Sequence, residues 1–312
     1  MTVWGKLLVS NTKEEKESGC PMFSEYAEKW FETFKRDKLK PTTILAYRND
    51  MKNWIVRYFG ERRLNEITAF DVQAFYNSMQ VLGRSSVHQK SVILRQILAA
   101  AKEDGFITDN PMDSKRLHLT GKAEIRREPL RVEEIKDIIK NLEKLQPKDM
   151  LLLAFYLFTG ARRGEVVALK WKDIDFDTKL IHISRSCTYV CNRPVFGPPK
   201  SRSGVRFVPL LPPLEKILLA LPKATGFIIE ELFTERKFKR TWERIGKTIE
   251  IYGATPHRIR HTYITTAVTR TDIKTLQTIA GHADISTTIN RYSHSREERI
   301  KEAGEAFGNL YL

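Results

Sequence analysis

Cysteine is scarce in this chain, with three in 312 residues: Cys20, Cys187 and Cys191. A small odd number excludes a disulfide framework and fits a reducing compartment. Cys187, Cys191 and His182 match no common zinc spacing and lack a fourth ligand, so no metal centre is expected. Long apolar runs are also missing, and without one of about 18 residues no membrane-spanning helix is expected. The first 19 residues turn polar and charged after Leu7-Leu8-Val9, unlike a secretory leader. The expected location is cytoplasmic, in association with the nucleoid. Acidic residues are short as well, 38 Asp and Glu against 53 Lys and Arg, a net charge of +15. That excess favours a polyanionic partner, of which nucleic acid is the commonest, over mere solubility.

What is present is enough for two domains. Residues 1–21 read as a tail or remnant. Residues 22–112 carry helical spacing in four segments. Phe23, Ala27, Trp30, Phe31 and Phe34 share one helix face. Tyr47, Met51, Trp54, Ile55 and Tyr58 repeat the spacing after Pro41. Thr68 and Asp71 form a capping box for a third helix. Ile93, Ile97 and Ala101 mark a fourth that stops at Gly105. Aromatic stripes at this spacing read as core. The opposite faces offer Lys38, Lys40, Arg48, Lys52, Arg84, Lys90 and Arg95 as phosphate contacts.

Residues 113–128, basic and poor in large apolar side chains, read as an exposed linker that lets two domains close on a duplex. A second domain over 129–295 opens with a helix at Val132–Leu142 and a buried one at Met150–Phe158. Strand signals lie at Lys179–Ser184 and Gly204–Val208, with turn chemistry between them at Arg193-Pro194 and Gly197-Pro198-Pro199. Helical patterns return at Leu214–Ala220, at Phe238–Ile249 and onward to Asn290. The expected fold is mainly α with a small antiparallel β-sheet in the C-terminal domain. Residues 296–312 form a tail whose Ile300, Ala303, Ala306, Phe307 and Leu310 fall at helical spacing, as if to dock on a neighbouring protomer.

Near the end stand His257-Arg258-Ile259-Arg260-His261, Gly281-His282, Tyr292 and His294, preceded far upstream by Thr159-Gly160-Ala161-Arg162-Arg163-Gly164-Glu165. Together they suit the cutting of a phosphodiester by tyrosine. A phenol with a pKa near 10 must lose its proton on attack. Guanidinium groups match the charge gathering on two phosphate oxygens. The departing oxygen needs an acid. Two arginines, one or two histidines, an acid and a tyrosine suffice without metal or cofactor. Arg163 competes with Arg162 for the first arginine position, and Glu165 can orient an arginine by an ion pair. His257 and Arg260, three apart, lie on one helix face. Tyr156, Tyr189 and Tyr263 rival Tyr292 by type, but sit in apolar or strand-like surroundings.

At these residues the sequence resembles the tyrosine recombinases, the family of phage integrases and Xer proteins, over roughly residues 23–300. The resemblance rests on Thr-Gly-x-Arg-x-x-Glu at 159–165, Lys200 ahead of Ser201-Arg202-Ser203-Gly204-Val205-Arg206 and Pro209, His-x-x-Arg-His at 257–261, Gly-His at 281–282 and Arg-Tyr-Ser-His at 291–294, in family order. It implies a helical core-binding domain and a catalytic domain that clamp DNA. It implies that Arg162 and Arg260 hold the scissile phosphate and that Lys200, on a β-hairpin, protonates the departing 5′ oxygen. His257 would be a general base or phosphate donor, His282 a further donor, and Tyr292 the nucleophile of a 3′-phosphotyrosyl link. Arg202 and Arg206 read as duplex-backbone contacts. The partners implied are double-stranded DNA with inverted core half-sites, a homotetramer, a Holliday junction and accessory DNA-bending proteins. A type IB topoisomerase-like enzyme and a catalytically silent DNA-binding regulator are the alternatives. Family members often carry a further N-terminal arm-binding domain; with about 21 residues ahead of the core-binding helices, either a simple two-domain recombinase or a shortened chain is expected.

Overall fold

A computed structural model describes residues 19–123, 128–222, 225–230, 234–251, 253–268 and 271–281. The chain divides into two compact units, Met1–Arg126 and Arg127–Leu312.

The first unit is helical. Helices α1 (Phe23–Trp30), α2 (Pro41–Asp50), α3 (Val56–Phe59), α4 (Ala69–Ser78) and α5 (Arg84–Glu103) surround a core that includes Phe23, Phe31, Ile55, Phe59, Phe75 and Leu94. Pro41 opens α2, where its missing N–H costs nothing. Thr68 Oγ1 accepts from Asp71 N at 3.3 Å, while Asp71 Oδ2 accepts from Thr68 N at 2.9 Å. Phe34 departs from its expected place and is 49% exposed. A wider π turn over Phe31–Lys35 takes it off the buried stripe.

The stretch expected as an exposed linker is bound to this unit as far as Lys122. Leu117 and Leu119 pack on its core. His118 N donates to Gln73 Oε1 at 2.8 Å, and Lys122 N donates to Leu82 O at 2.7 Å. Residues 124–127 lie outside the described set.

The second unit is built on α7 (Pro147–Thr159), whose Leu152, Leu153, Phe155 and Tyr156 are wholly buried. Around it lie α6 (Val132–Lys140), α8 (Arg163–Val167), α9 (Pro212–Leu219), α10 (Glu235–Thr248), α11 (Pro256–Val268) and α12 (Ile273–Ala280). Leu130 N donates to Thr262 Oγ1 at 2.8 Å, so the unit's first residues are tied to α11.

Its antiparallel sheet has the order β1 (Ile174–Asp175), β2 (Leu180–Ile183), β5 (Arg206–Pro209). Between β2 and β5 the chain makes a second hairpin, β3 (Ser186–Val190) with β4 (Arg193–Gly197). Arg193-Pro194 was expected to be turn and is strand. The turn falls instead at Cys191 and Asn192, both with positive φ (49° and 64°), the backbone that a two-residue hairpin loop requires. Among the described residues no helix is long and apolar enough to cross a membrane.

Gly160 ends α7 in the left-handed conformation at φ 60°. A Cβ there would lie 2.3 Å from the Tyr263 ring. Gly160→Ala therefore combines backbone strain with a ring clash. It is expected to cost about 2 kcal/mol or more, read as a lowered urea midpoint with an unchanged slope. A midpoint equal to wild type would contradict this packing.

Candidate active site

Residue 162 precedes α8 with an extended backbone (φ −72°, ψ 155°), so its side chain leaves the helix rather than following it. Three residues on, Glu165 turns back. Its Oε2 accepts from Arg162 N at 2.8 Å and its Oε1 from Arg162 Nη1 at 2.9 Å. The same carboxylate takes both ends of a second guanidinium, Arg206 Nη1 at 3.0 Å and Nη2 at 2.8 Å. It thus accepts four hydrogen bonds, the full capacity of a carboxylate. Burial pushes the Glu165 carboxyl up. The Arg206 and Arg162 bonds outweigh it and bring the group down to about 2.

A third arginine arrives from α11. Arg260 is 4% exposed and donates through Nη1 to Gly160 O at 2.6 Å. The last carbonyls of α12 then join all three. Ile279 O accepts from Arg206 Nε at 2.7 Å, Ala280 O from Arg260 Nη2, and Gly281 O from Arg162 Nη2 at 2.9 Å. A helix end leaves its final carbonyls without intrahelical partners and carries partial negative charge. Here guanidinium groups satisfy them. The structure thus brings Arg162, Glu165, Arg206 and Arg260 together at the end of α12, immediately before residue 282.

Arg206 was expected to be a backbone contact for DNA, and its side chain is 1% exposed instead. Besides Glu165 and Ile279 it donates to Gly204 O at 2.9 Å, so its donors are directed inward. Lys90, expected on a DNA-facing surface, is 6% exposed, paired with Asp50 Oδ1 at 2.8 Å and lying over the Trp54 ring. A buried cation must keep such a partner. Both residues are committed to internal carboxylates rather than standing on the surface. Lys38, Lys40, Lys52, Arg84 and Arg202 are exposed. Arg48 and Arg95 are exposed but engaged, Arg48 with Glu32 and Arg95 with Asp113.

Lys200 is exposed on the loop that follows β4. Gly204, at the other end of that loop, is joined through Arg206 to the end of α12. His257 stands one turn before Arg260 and is exposed in the first turn of α11. Thr255 Oγ1 accepts from Arg258 N at 3.1 Å there. His282 and Tyr292 lie outside the described residues. Of the rival phenols, Tyr156 is wholly buried, and burial pushes its hydroxyl well up. Burial likewise raises Tyr189 and Tyr263. Upward shifts make poor nucleophiles.

Comparison with known proteins bears on the family and the fold. The family model for the phage integrase N-terminal SAM-like domain matches residues 22–80, and that of the phage integrase family matches residues 128–200 and 227–299. The chain belongs to the phage integrase family, the tyrosine recombinases, which catalyse DNA strand cleavage and transfer. It is 29% identical to a XerC-like tyrosine recombinase of Caldanaerobacter subterraneus subsp. tengcongensis, over 91% of this chain and 82% of that one. It is 29% identical to the ICEBs1 integrase of Bacillus subtilis, over 87% and 78%. Its fold is similar to that of the Tn1549 transposon integrase in complex with transposon right end DNA, with a TM-score of 0.73 and 21% identity over 90% of this chain and 100% of that one.

The sign of the Glu165 shift sets a pH dependence. A carboxyl lowered from 4.5 to about 2 on folding stabilises the fold fully above pH 4.5 and loses that contribution as pH falls toward 2. The contribution is about 3 kcal/mol. Glu165→Gln should be less stable near pH 7 by about 3–5 kcal/mol, because it leaves the buried Arg206 without its counter-charge. Its unfolding free energy should also fall less steeply than wild type between pH 4.5 and 2. Parallel curves in urea titrations would contradict the shared ion pair.

Proposed function

We propose that this chain is a site-specific recombinase that cuts and rejoins DNA at inverted core half-sites, integrating or excising a mobile element. Arg162 and Arg260 hold the scissile phosphate. The observation that supports this is their common attachment to the end of α12, where Gly281 O accepts from Arg162 and Ala280 O from Arg260, so that two cations far apart in sequence stand side by side. Arg162 keeps its side chain 39% exposed while anchored at both ends of its fork. A guanidinium has five N–H donors in one plane, so its remaining donors are held in a set direction.

In the proposed reaction the Tyr292 oxygen bonds to phosphorus and the bond from phosphorus to the 5′ oxygen breaks. The phenolic proton passes to His257. The proton on Lys200 goes to the departing 5′ oxygen. His282 hydrogen-bonds the same phosphate. The phosphotyrosyl ester keeps the bond energy, so the reverse attack by a 5′ hydroxyl rejoins the strand. Residues 22–112, with 113–122 bound to them, form the core-binding domain and 129–295 the catalytic domain. Lys38, Lys40, Lys52, Arg84 and Arg202 contact phosphates, joined by Arg48 and Arg95 where they exchange a carboxylate for DNA. Two dimers form a tetrameric synapse and pass through a Holliday junction, with residues 296–312 exchanged between protomers and DNA-bending proteins assisting. The target DNA places the protein in the cytoplasm with the nucleoid.

A suicide half-site substrate tests the chemistry. Wild type should accumulate a covalent adduct on the peptide that contains residue 292. Tyr292→Phe should bind the same DNA and give none. Arg162→Ala and Arg260→Ala should each slow adduct formation by about 100-fold or more. Recovery of the adduct on another tyrosine would overturn the assignment. Binding should also weaken steeply with salt, as phosphate contacts release counterions. An affinity flat in salt would rule out the basic contacts.

A further inference from the structure

The hairpin β3–β4 leads directly into the Lys200 loop and is fastened to the rest of its unit along its length. At its base, Arg185 pairs with the buried Asp173. On β3, the carbonyl of Cys187 crosses Gly164 so closely that a Cβ there would lie 2.2 Å from it. On β4, Phe196 stacks on Phe227 with centroids 4.7 Å apart. At the turn, Asn192 Oδ1 accepts from Arg236 N in the first turn of α10 at 3.1 Å.

At the centre of these contacts is Arg163. Its guanidinium lies over the Tyr189 ring of β3 at 5.5 Å and over the Phe238 ring of α10 at 5.3 Å. Its Nη1 is 3.8 Å from Glu235 Oε1 at the start of α10. One planar cation therefore bridges the hairpin, α8 and α10. Arginine suits the place because its flat, weakly hydrated group stacks on two rings while keeping N–H donors in its plane for a carboxylate.

We propose that Arg163 is a positioning residue that latches hairpin β3–β4 to α8 and α10 and thereby fixes where Lys200 stands relative to Arg162. The proposal rests on the assignment of Lys200 as the acid for the 5′ oxygen. Arg163 and Arg162 are adjacent but leave the chain in different roles. Arg162 serves the phosphate, and Arg163 serves the hairpin whose end carries the acid. The latch acts on leaving-group protonation and leaves phosphate binding alone.

A leaving group that needs no proton separates the two effects. The experiment compares adduct formation on a suicide half-site with oxygen at the bridging 5′ position and on the same duplex with sulfur there. A thiolate departs without protonation. Lys200→Ala should be slow on oxygen and close to wild type on sulfur. Arg163→Ala should behave in the same way, with a loss of about 10- to 100-fold on oxygen, up to the lower edge of what a general acid contributes, and recovery on sulfur. Arg163→Lys, which keeps the charge and loses the planar stack, should fall between. Phe238→Leu removes one of the two rings without removing the cation, and should show a smaller loss with the same recovery.

The outcomes are separable. No adduct from wild type on either substrate sinks the recombinase reading itself. Lys200→Ala slow on both substrates removes the acid role, and the latch with it. Lys200→Ala rescued by sulfur while Arg163→Ala and Phe238→Leu stay equally slow on both, with melting curves like wild type, refutes the latch alone. Full activity of Arg163→Ala on oxygen also refutes it.

Discussion

Three guanidinium groups drawn to one helix end would repel one another unless something of opposite sign lay between them. In this chain two things do. The carboxylate of Glu165 bridges Arg162 and Arg206, and the closing carbonyls of α12 accept from Arg206, Arg260 and Arg162 in turn. Both are dipoles or charges fixed by the fold, the kind of preorganised surroundings that electrostatic catalysis requires. Remove the carboxylate, and a cation with a 1% exposed side chain loses its counter-charge. Remove the helix end, and three forks lose their direction. The arrangement also sorts the arginines by occupation. Arg206 spends donors on Glu165, Gly204 and Ile279, whereas Arg162 spends them on Glu165 and Gly281 and remains partly exposed.

The sequence positions of these groups are far apart, at 162, 206, 260 and 279–281, and the fold explains why they meet. The left-handed Gly160 stops α7, offers its own carbonyl to Arg260, and lets the Tyr263 ring of α11 lie against the backbone. The next residues swing Arg162 out before α8 begins. Strand β5 pairs with β2 so that Arg206 stands opposite Ile183 on the buried side, with Phe207 and His182 stacked on the other. One sheet edge, two helix termini and one turn thus converge without any long-range feature unique to the site.

Local chemistry was readable in the sequence, and register was less so. The Thr68–Asp71 box, Pro41 at a helix start and the Gly105 stop each depend on residues within one turn, and each forms. Phe34 fails because a π turn changes the backbone hydrogen bonding, which side-chain spacing does not record. The turn at Cys191-Asn192 was hidden by louder punctuation at Arg193-Pro194 and Gly197-Pro198-Pro199. Pro194 is tolerated in β4 because that strand pairs on one side only, with β3, so a missing N–H need not break a ladder. The inward course of Arg206 was legible in principle. With Val208 on the buried face, period-2 alternation puts residue 206 beside it. An arginine count that treats every basic residue as surface overlooks this. Lys90 shows the same error, being four residues from the buried Leu94 on α5.

Basic excess and basic function are therefore different quantities here. The net charge of +15 is a sum over the whole chain, and a charge of that size favours encounter with a polyanion. The site draws on a handful of cations whose counter-charges are internal, and one of the most buried of them, Arg206, makes no surface at all. Arg163 lies between the two groups, 42% exposed yet committed to two rings and a carboxylate. Adjacent arginines with opposite fates follow from a single backbone event. Arg162 precedes the helix in an extended conformation and Arg163 is its first helical residue, so their side chains diverge at the point where the chain enters α8.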